Sequence, residues 1–174
     1  MVGIAELKAA VRNVPNFPKP GIQFKDITPV LGDARLFASL VRHLTSGFKR
    51  GDVDAVVGID ARGFIFGAAA AMELNTAFVP IRKKGKLPYE TYEQSYDLEY
   101  GSSTIAVHTD AVKPGSRIIL IDDLLATGGT AAAAVVLLKR LGAEVLDVVF
   151  FIELAFLNGR EKLPGVPVRS LITY

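Results

Sequence analysis

Two adjacent acidic residues, Asp122 and Asp123, stand just before a turn of small and hydroxyl residues in the string IILIDDLLATGGT. The turn consists of Ala126, Thr127, Gly128, Gly129 and Thr130. Carboxylates accept hydrogen bonds from the vicinal hydroxyls of a sugar. A glycine-rich turn at the start of a helix offers backbone N–H groups and a favourable partial charge to a phosphate. Together, the acids and the turn predict a cradle for a ribose 5-phosphate group.

The same turn argues against two other classes of phosphate site. It lacks the lysine of the GxxxxGK[ST] loop, which disfavours a nucleoside triphosphate. It also lacks the GxGxxG spacing of dinucleotide-binding folds. One structural alternative stays open, in which the acids cap the following helix and the glycines make an ordinary turn.

The elements around these residues predict an α/β fold with a mostly parallel, twisted sheet flanked by helices, because apolar strands alternate with helices. Ligands bind at the carboxyl ends of such strands, where the acids and the turn fall. Residues 84–101 are polar and rich in tyrosine, and we expect part strand and part mobile loop there. The predicted strands are 54–60, 77–82, 103–112 (an edge strand), 116–122, 144–154 and 167–174. The predicted helices are 2–13, a helix capped by Asp33, 63–74 and 129–142, with an irregular segment over 15–29.

The composition suits one globular domain spanning residues 1–174. Half of the residues are apolar, 22% are charged and the net charge is +2, without a block of basic residues. We therefore expect no nucleic-acid partner. The apolar runs are too short to span a bilayer, and no secretory signal stands at the start, so no membrane partner is expected. The chain has no cysteine, which rules out disulfides and thiolate metal sites and suits the cytoplasm.

The string IILIDDLLATGGT resembles the phosphoribosyl-diphosphate signature of the type I phosphoribosyltransferases, and its DDLLATGGT variant resembles their adenine-specific branch. Four more segments match that family in order and spacing: GIQFKDITPVL, GIDARGFIFG, RKKGKLP…YDLEYG and FIELAFLNGREKL. The resemblance covers nearly the whole chain. It implies the type I phosphoribosyltransferase fold, with residues 84–101 as a flexible lid loop and residues 1–30 contributing to a hood over the base.

The reaction that the resemblance implies joins adenine to 5-phosphoribosyl 1-diphosphate and gives AMP and pyrophosphate, a step of purine salvage. Residues 126–130 would hold the 5′-phosphate, and Asp122 and Asp123 would lie on the side of the ribose and of Mg²⁺. The implied ligands of the diphosphate are Arg62, Lys83 and Lys86. Such a reaction needs positioning and charge stabilisation more than a covalent nucleophile.

The resemblance also implies where the base and the catalytic groups lie. Gln23, Phe24 and Lys25 would bind adenine, through the aromatic ring and through backbone groups. The implied catalytic residues are Arg62, Glu99 and Tyr100. Glu99 could assist proton movement on the purine, and a closing lid would keep water from a cationic sugar.

The remaining expectations concern the cofactor, the assembly and rival functions. The family uses Mg²⁺ carried by the diphosphate substrate, with no direct protein ligand, and its members are usually homodimers. One rival function is transfer to a 6-oxopurine. A second is a non-catalytic regulator that senses phosphoribosyl diphosphate.

Overall fold

The chain is described by a computed structural model, which covers residues 1–97 and 101–174. The described residues form two compact units, residues 1–43 and 44–174. The expectation of a single domain over residues 1–174, with residues 1–30 as a hood, stays a prediction.

The first unit carries short elements. Helix α1 spans Ile4–Ala10, strand β1 Arg12–Pro15, strand β2 Gln23–Asp26, helix α2 Thr28–Leu31 and helix α3 Ala34–Leu44, whose last residue is the first of the second unit. As predicted, Asp33 caps α3: its Oδ1 accepts hydrogen bonds from the backbone N–H groups of Arg35 at 2.8 Å and Leu36 at 3.0 Å. The segment predicted as irregular instead contains β2, which pairs antiparallel with β1 and so satisfies its backbone groups.

The second unit is built on the sheet. Its strands are β3 Ala55–Ile59, β4 Ala77–Lys83, β5 Thr91–Asp97, β6 Ser102–His108, β7 Arg117–Leu125, β8 Glu144–Glu153 and β9 Val168–Thr173. Its helices are α4 Arg62–Leu74 and α5 Gly129–Arg140, and two 3₁₀ turns span Ala155–Leu157 and Gly159–Lys162. Within the described ranges the strand order is β5-β6-β4-β3-β7-β8-β9. The five strands β4, β3, β7, β8 and β9 pair in parallel in that order. Strand β6 pairs antiparallel with β4 and with β5. This mostly parallel sheet confirms the predicted fold class.

Two differences between the predicted and the observed elements bear on the site. Strand β6 is not at the edge, because the polar segment before it folds back as β5 and pairs along its whole length. Alternation explains how so polar a stretch forms a strand: Tyr92 and Tyr96 pack against the core, whereas the alternate residues Glu93, Ser95 and Asp97 are exposed. Strand β7 continues past Asp122 to Leu125, because β8 is long enough to pair with it there. The two acids are therefore strand residues.

Candidate active site

The paired acids lie at the carboxyl end of β7 and are joined to the start of α4 by an ion pair. Asp123 is only 6% exposed, and its Oδ2 lies 2.6 Å from Nε of Arg62, the first residue of α4. The backbone N–H of Asp123 donates to Oδ1 of Asp122 at 2.9 Å. The ion pair and this hydrogen bond together link three of the predicted site residues.

Burial makes this arrangement electrostatically costly. Burial, and then the neighbouring charge of Asp123, raise the pKa of Asp122 well above its ordinary value. The pKa of Asp123 is also raised by burial, against the opposing effect of the Arg62 guanidinium. A ligand that supplies hydroxyl donors or positive charge would lower this cost.

A glycine that the sequence reading did not single out makes room for the acids. A Cβ atom on Gly63 would lie 2.7 Å from Oδ1 of Asp122 and 3.2 Å from the carbonyl oxygen of Ile121. Gly63 therefore lets the first turn of α4 lie directly against β7. Its place beside Arg62 in DARGF was the signal available in the sequence.

The turn after β7 forms a pocket at the start of α5. The residues lining this pocket are Asp122, Leu124, Leu125, Ala126, Thr127, Gly128, Gly129, Thr130, Ala131 and Phe150. Gly128 is the N-cap of α5 with φ of 77°, a left-handed conformation that favours glycine, and no side chain caps the helix there. The alternative in which the acids cap this helix is therefore wrong. The uncapped first turn leaves backbone donors for an anion.

A second pocket adjoins the first and shares Asp122, Leu124 and Thr130 with it. Its other lining residues are Ile59, Asp60, Ala61, Arg62, Tyr96 and Asp123. Asp60 and Tyr96 were missed from the sequence. Asp60 is held by Nε of Arg82 at 3.2 Å, and Tyr96 comes from the strand β5 that was predicted only in part.

The two predicted lysines do not line either pocket. Lys83 is the last residue of β4 and Lys86 lies in the turn that follows; both are exposed, and the backbone N–H of Lys86 donates to the carbonyl oxygen of Lys83 at 3.1 Å. Glu99 and Tyr100, and with them part of the predicted lid, lie outside the described residues. Their roles stay predictions.

The predicted adenine segment lies on β2 of the first unit. The ring of Phe24 packs edge-on against Phe17 with centroids 5.1 Å apart. Nζ of Lys25 donates to Oδ1 of Asn13 at 3.0 Å, and Nδ2 of Asn13 donates to Oε1 of Gln23 at 2.8 Å. The three predicted residues thus belong to one ordered hairpin.

No helix in residues 1–97 and 101–174 is long and apolar enough to cross a membrane. Over the same ranges, no group of three or more His, Cys, Asp or Glu side chains is placed to hold a metal ion by itself.

Comparison with known proteins identifies the family. Residues 30–164 match the phosphoribosyl transferase domain. The chain is 54% identical to the adenine phosphoribosyltransferase of Acidothermus cellulolyticus, over 97% of this chain and 96% of that one. A crystal structure of adenine phosphoribosyltransferase from Rhodothermus marinus matches with a TM-score of 0.92 and 50% identity, covering 98% of both chains.

A third relative was solved with ligands. The Saccharomyces cerevisiae adenine phosphoribosyltransferase, in complex with an imino-altritol bisphosphate and adenine, matches with a TM-score of 0.92 and 43% identity over 97% of both chains. The paired acids, the uncapped turn and these likenesses together show that the chain belongs to the adenine phosphoribosyltransferase branch of the phosphoribosyl transferase family.

Proposed function

We propose that the chain transfers the 5-phosphoribosyl group of 5-phosphoribosyl 1-diphosphate to adenine. The bond between C1′ and the diphosphate oxygen breaks, a bond forms between C1′ and N9, and the N9 proton leaves, giving AMP and pyrophosphate. One observation carries the proposal: the uncapped turn at Gly128 is continuous with the pocket that holds Arg62 and the paired acids.

The positions of these groups suit the two ends of the donor. Backbone N–H groups of residues 128–130 would bind the 5′-phosphate, together with the hydroxyls of Thr127 and Thr130. Asp122 and Asp123 would accept hydrogen bonds from the ribose hydroxyls. Arg62 would leave Asp123 for the diphosphate, where its planar fork can bind two oxygens. The ion pair keeps the Asp123 charge compensated until the donor arrives.

The other groups remain proposals from the sequence. Gln23, Phe24 and Lys25 bind adenine, and Lys83 and Lys86 approach the diphosphate when the residues of the segment 84–101 that lie outside β5 close over the site. Glu99 assists the proton transfer and Tyr100 binds the phosphoribosyl group. Replacing Glu99 with leucine should lower kcat at least about tenfold with little change in KM for adenine. An unchanged kcat would remove Glu99 from the mechanism.

The residues present suit Mg²⁺ that arrives with the diphosphate. Asp60, Asp122 and Asp123 all line the second pocket, and hard oxygen donors are what Mg²⁺ prefers. When bound, the ion would neutralise charge on the leaving diphosphate. The acids would serve it mainly through its water shell and through the ribose hydroxyls they hold.

A homodimer in the cytoplasm is part of the same proposal. Ile65 and Met72 stand seven residues apart on one face of α4 and are 40% and 79% exposed. Such an exposed apolar face fits a contact with a second copy of the chain.

A purine panel tests the function. The protein is mixed with Mg²⁺ and 5-phosphoribosyl 1-diphosphate, each purine is added in turn, and pyrophosphate release is followed. Release with adenine only is the expected result. Release with hypoxanthine, guanine or xanthine instead would indicate a 6-oxopurine enzyme, and binding of the donor without turnover would indicate a sensor.

A further inference from the structure

The segment after β8, residues 155–162, lies against the phosphate-binding turn although the proposed chemistry does not use it. We call it the buttress segment. It contains Gly159, which is buried. Gly159 does not line the phosphate pocket, so it contacts the turn from outside.

The contact is between two stretches of backbone and leaves no space for a methyl group on either side. A Cβ atom on Gly128 would collide with the carbonyl oxygen of Gly159 and lie 2.9 Å from its carbonyl carbon. A Cβ atom on Gly159 would collide with the carbonyl oxygen of Ala126 and lie 3.1 Å from the backbone nitrogen of Gly128. That nitrogen belongs to the proposed phosphate-binding turn, so the position of Gly159 constrains the turn itself.

A multiply bonded arginine fixes the buttress segment in place. Arg160 donates from Nε and Nη2 to the two carboxylate oxygens of Glu153 at 2.6 and 2.7 Å, and from Nη1 to the carbonyl oxygen of Val168 at 2.7 Å. Glu153 is 6% exposed and pairs with Leu125, the last residue of β7. The turn at Gly128 follows β7, and Gly159 is held through Arg160 to β8, so the paired ends of β7 and β8 position both sides of the contact.

We propose that Gly159 is a positioning residue for the donor: its bare backbone, held by Arg160, sets the conformation in which the turn's N–H groups converge on the 5′-phosphate. The proposal rests on the function proposed above. It predicts an effect on ligands that carry a 5′-phosphate and none on ligands that do not. A residue needed only for folding would not separate the two.

The test compares Gly159→Ala with wild type and with Glu161→Gln, an exposed change on the same 3₁₀ turn. Gly159 does not have a positive φ, so alanine there meets only the lack of space. Ribose 5-phosphate and Mg²⁺-pyrophosphate are each titrated calorimetrically. We expect Gly159→Ala to bind ribose 5-phosphate about tenfold more weakly, because hydrogen bonds to a charged group are worth that much. Pyrophosphate affinity should stay within about twofold, and KM for the donor should rise more than kcat falls.

A second variant keeps the test decisive if alanine prevents folding. Arg160→Lys keeps the charge beside Glu153 but loses the bidentate fork, and it should weaken ribose 5-phosphate selectively by a smaller factor. Equal losses for both ligands in a folded variant, or no loss for either, would overturn the proposal. Wild type that binds no ribose 5-phosphate would instead refute the proposed function.

Discussion

At the scale of single residues, Asp122 lowers the stability of the fold at neutral pH, although its proposed role is to bind the ribose. Asp122 is desolvated and lies beside a second carboxylate, and both effects raise its pKa. A group whose pKa is higher in the folded state favours folding below its unfolded pKa. That contribution is lost as the pH rises through the folded pKa. At neutral pH, where the Asp122 carboxyl is ionised in the unfolded chain, its raised pKa in the folded state therefore opposes folding.

Replacing Asp122 with asparagine should make the protein more stable and a poorer binder. Asparagine keeps an acceptor for the backbone N–H of Asp123 but removes the charge. The gain in unfolding free energy over wild type should be small at pH 4 and grow toward pH 7, as urea melts at several pH values would show. Donor affinity should fall at least about tenfold. A gain that is the same at every pH would contradict the raised pKa.

The sequence could predict the acids and the turn because their types and spacing are local. It could not predict the ion pair of Arg62 with Asp123, or the contact of Gly128 with Gly159, because the partners are far apart in the chain and meet only through the sheet. For Lys83 and Lys86 the sequence predicts a role that the described structure does not place in the site. Their proposed role depends on the conformation of the segment 84–101, and in the described conformation both side chains are exposed to solvent.

At the scale of elements, close packing of α4 on β3 sets the position of Arg62. A Cβ atom on Gly58 would lie 2.8 Å from the carbonyl oxygen of Gly63 and 2.9 Å from Cε2 of Phe78. The helix can approach the strand only because Gly58 has no side chain. The element pattern was predictable from apolar periodicity, whereas β5 was only partly predicted because its outward residues are polar.

Gly58→Ala should push α4 away from the sheet. We expect a loss of about 1–3 kcal/mol in unfolding free energy, typical of overpacking, measured by denaturant unfolding. Gly3→Ala is the matched control, because φ at Gly3 is −75° and a Cβ there meets nothing within 4 Å. It should change stability by less than about 0.5 kcal/mol. Equal stabilities for the two variants would show that the packing at Gly58 is looser than described.

At the scale of the whole molecule, the apolar face of α4 predicts self-association. Light scattering should show a dimer for wild type and a monomer for the double variant Ile65→Lys with Met72→Lys, because two charges on the face would be buried at the contact. Val136→Lys is the control: Val136 is 48% exposed on α5 and should tolerate the charge with the dimer intact. A monomeric wild type, or dissociation by Val136→Lys as well, would refute this interface.

The central claim is that the paired acids hold the ribose while the adjoining turn holds its 5′-phosphate. Calorimetric titration of wild type and of the double variant Asp122→Ala with Asp123→Ala with Mg²⁺ and 5-phosphoribosyl 1-diphosphate tests it most directly. Losing two charge-assisted hydrogen bonds should weaken binding about a hundredfold. A folded double variant that binds the donor as tightly as wild type would contradict the claim.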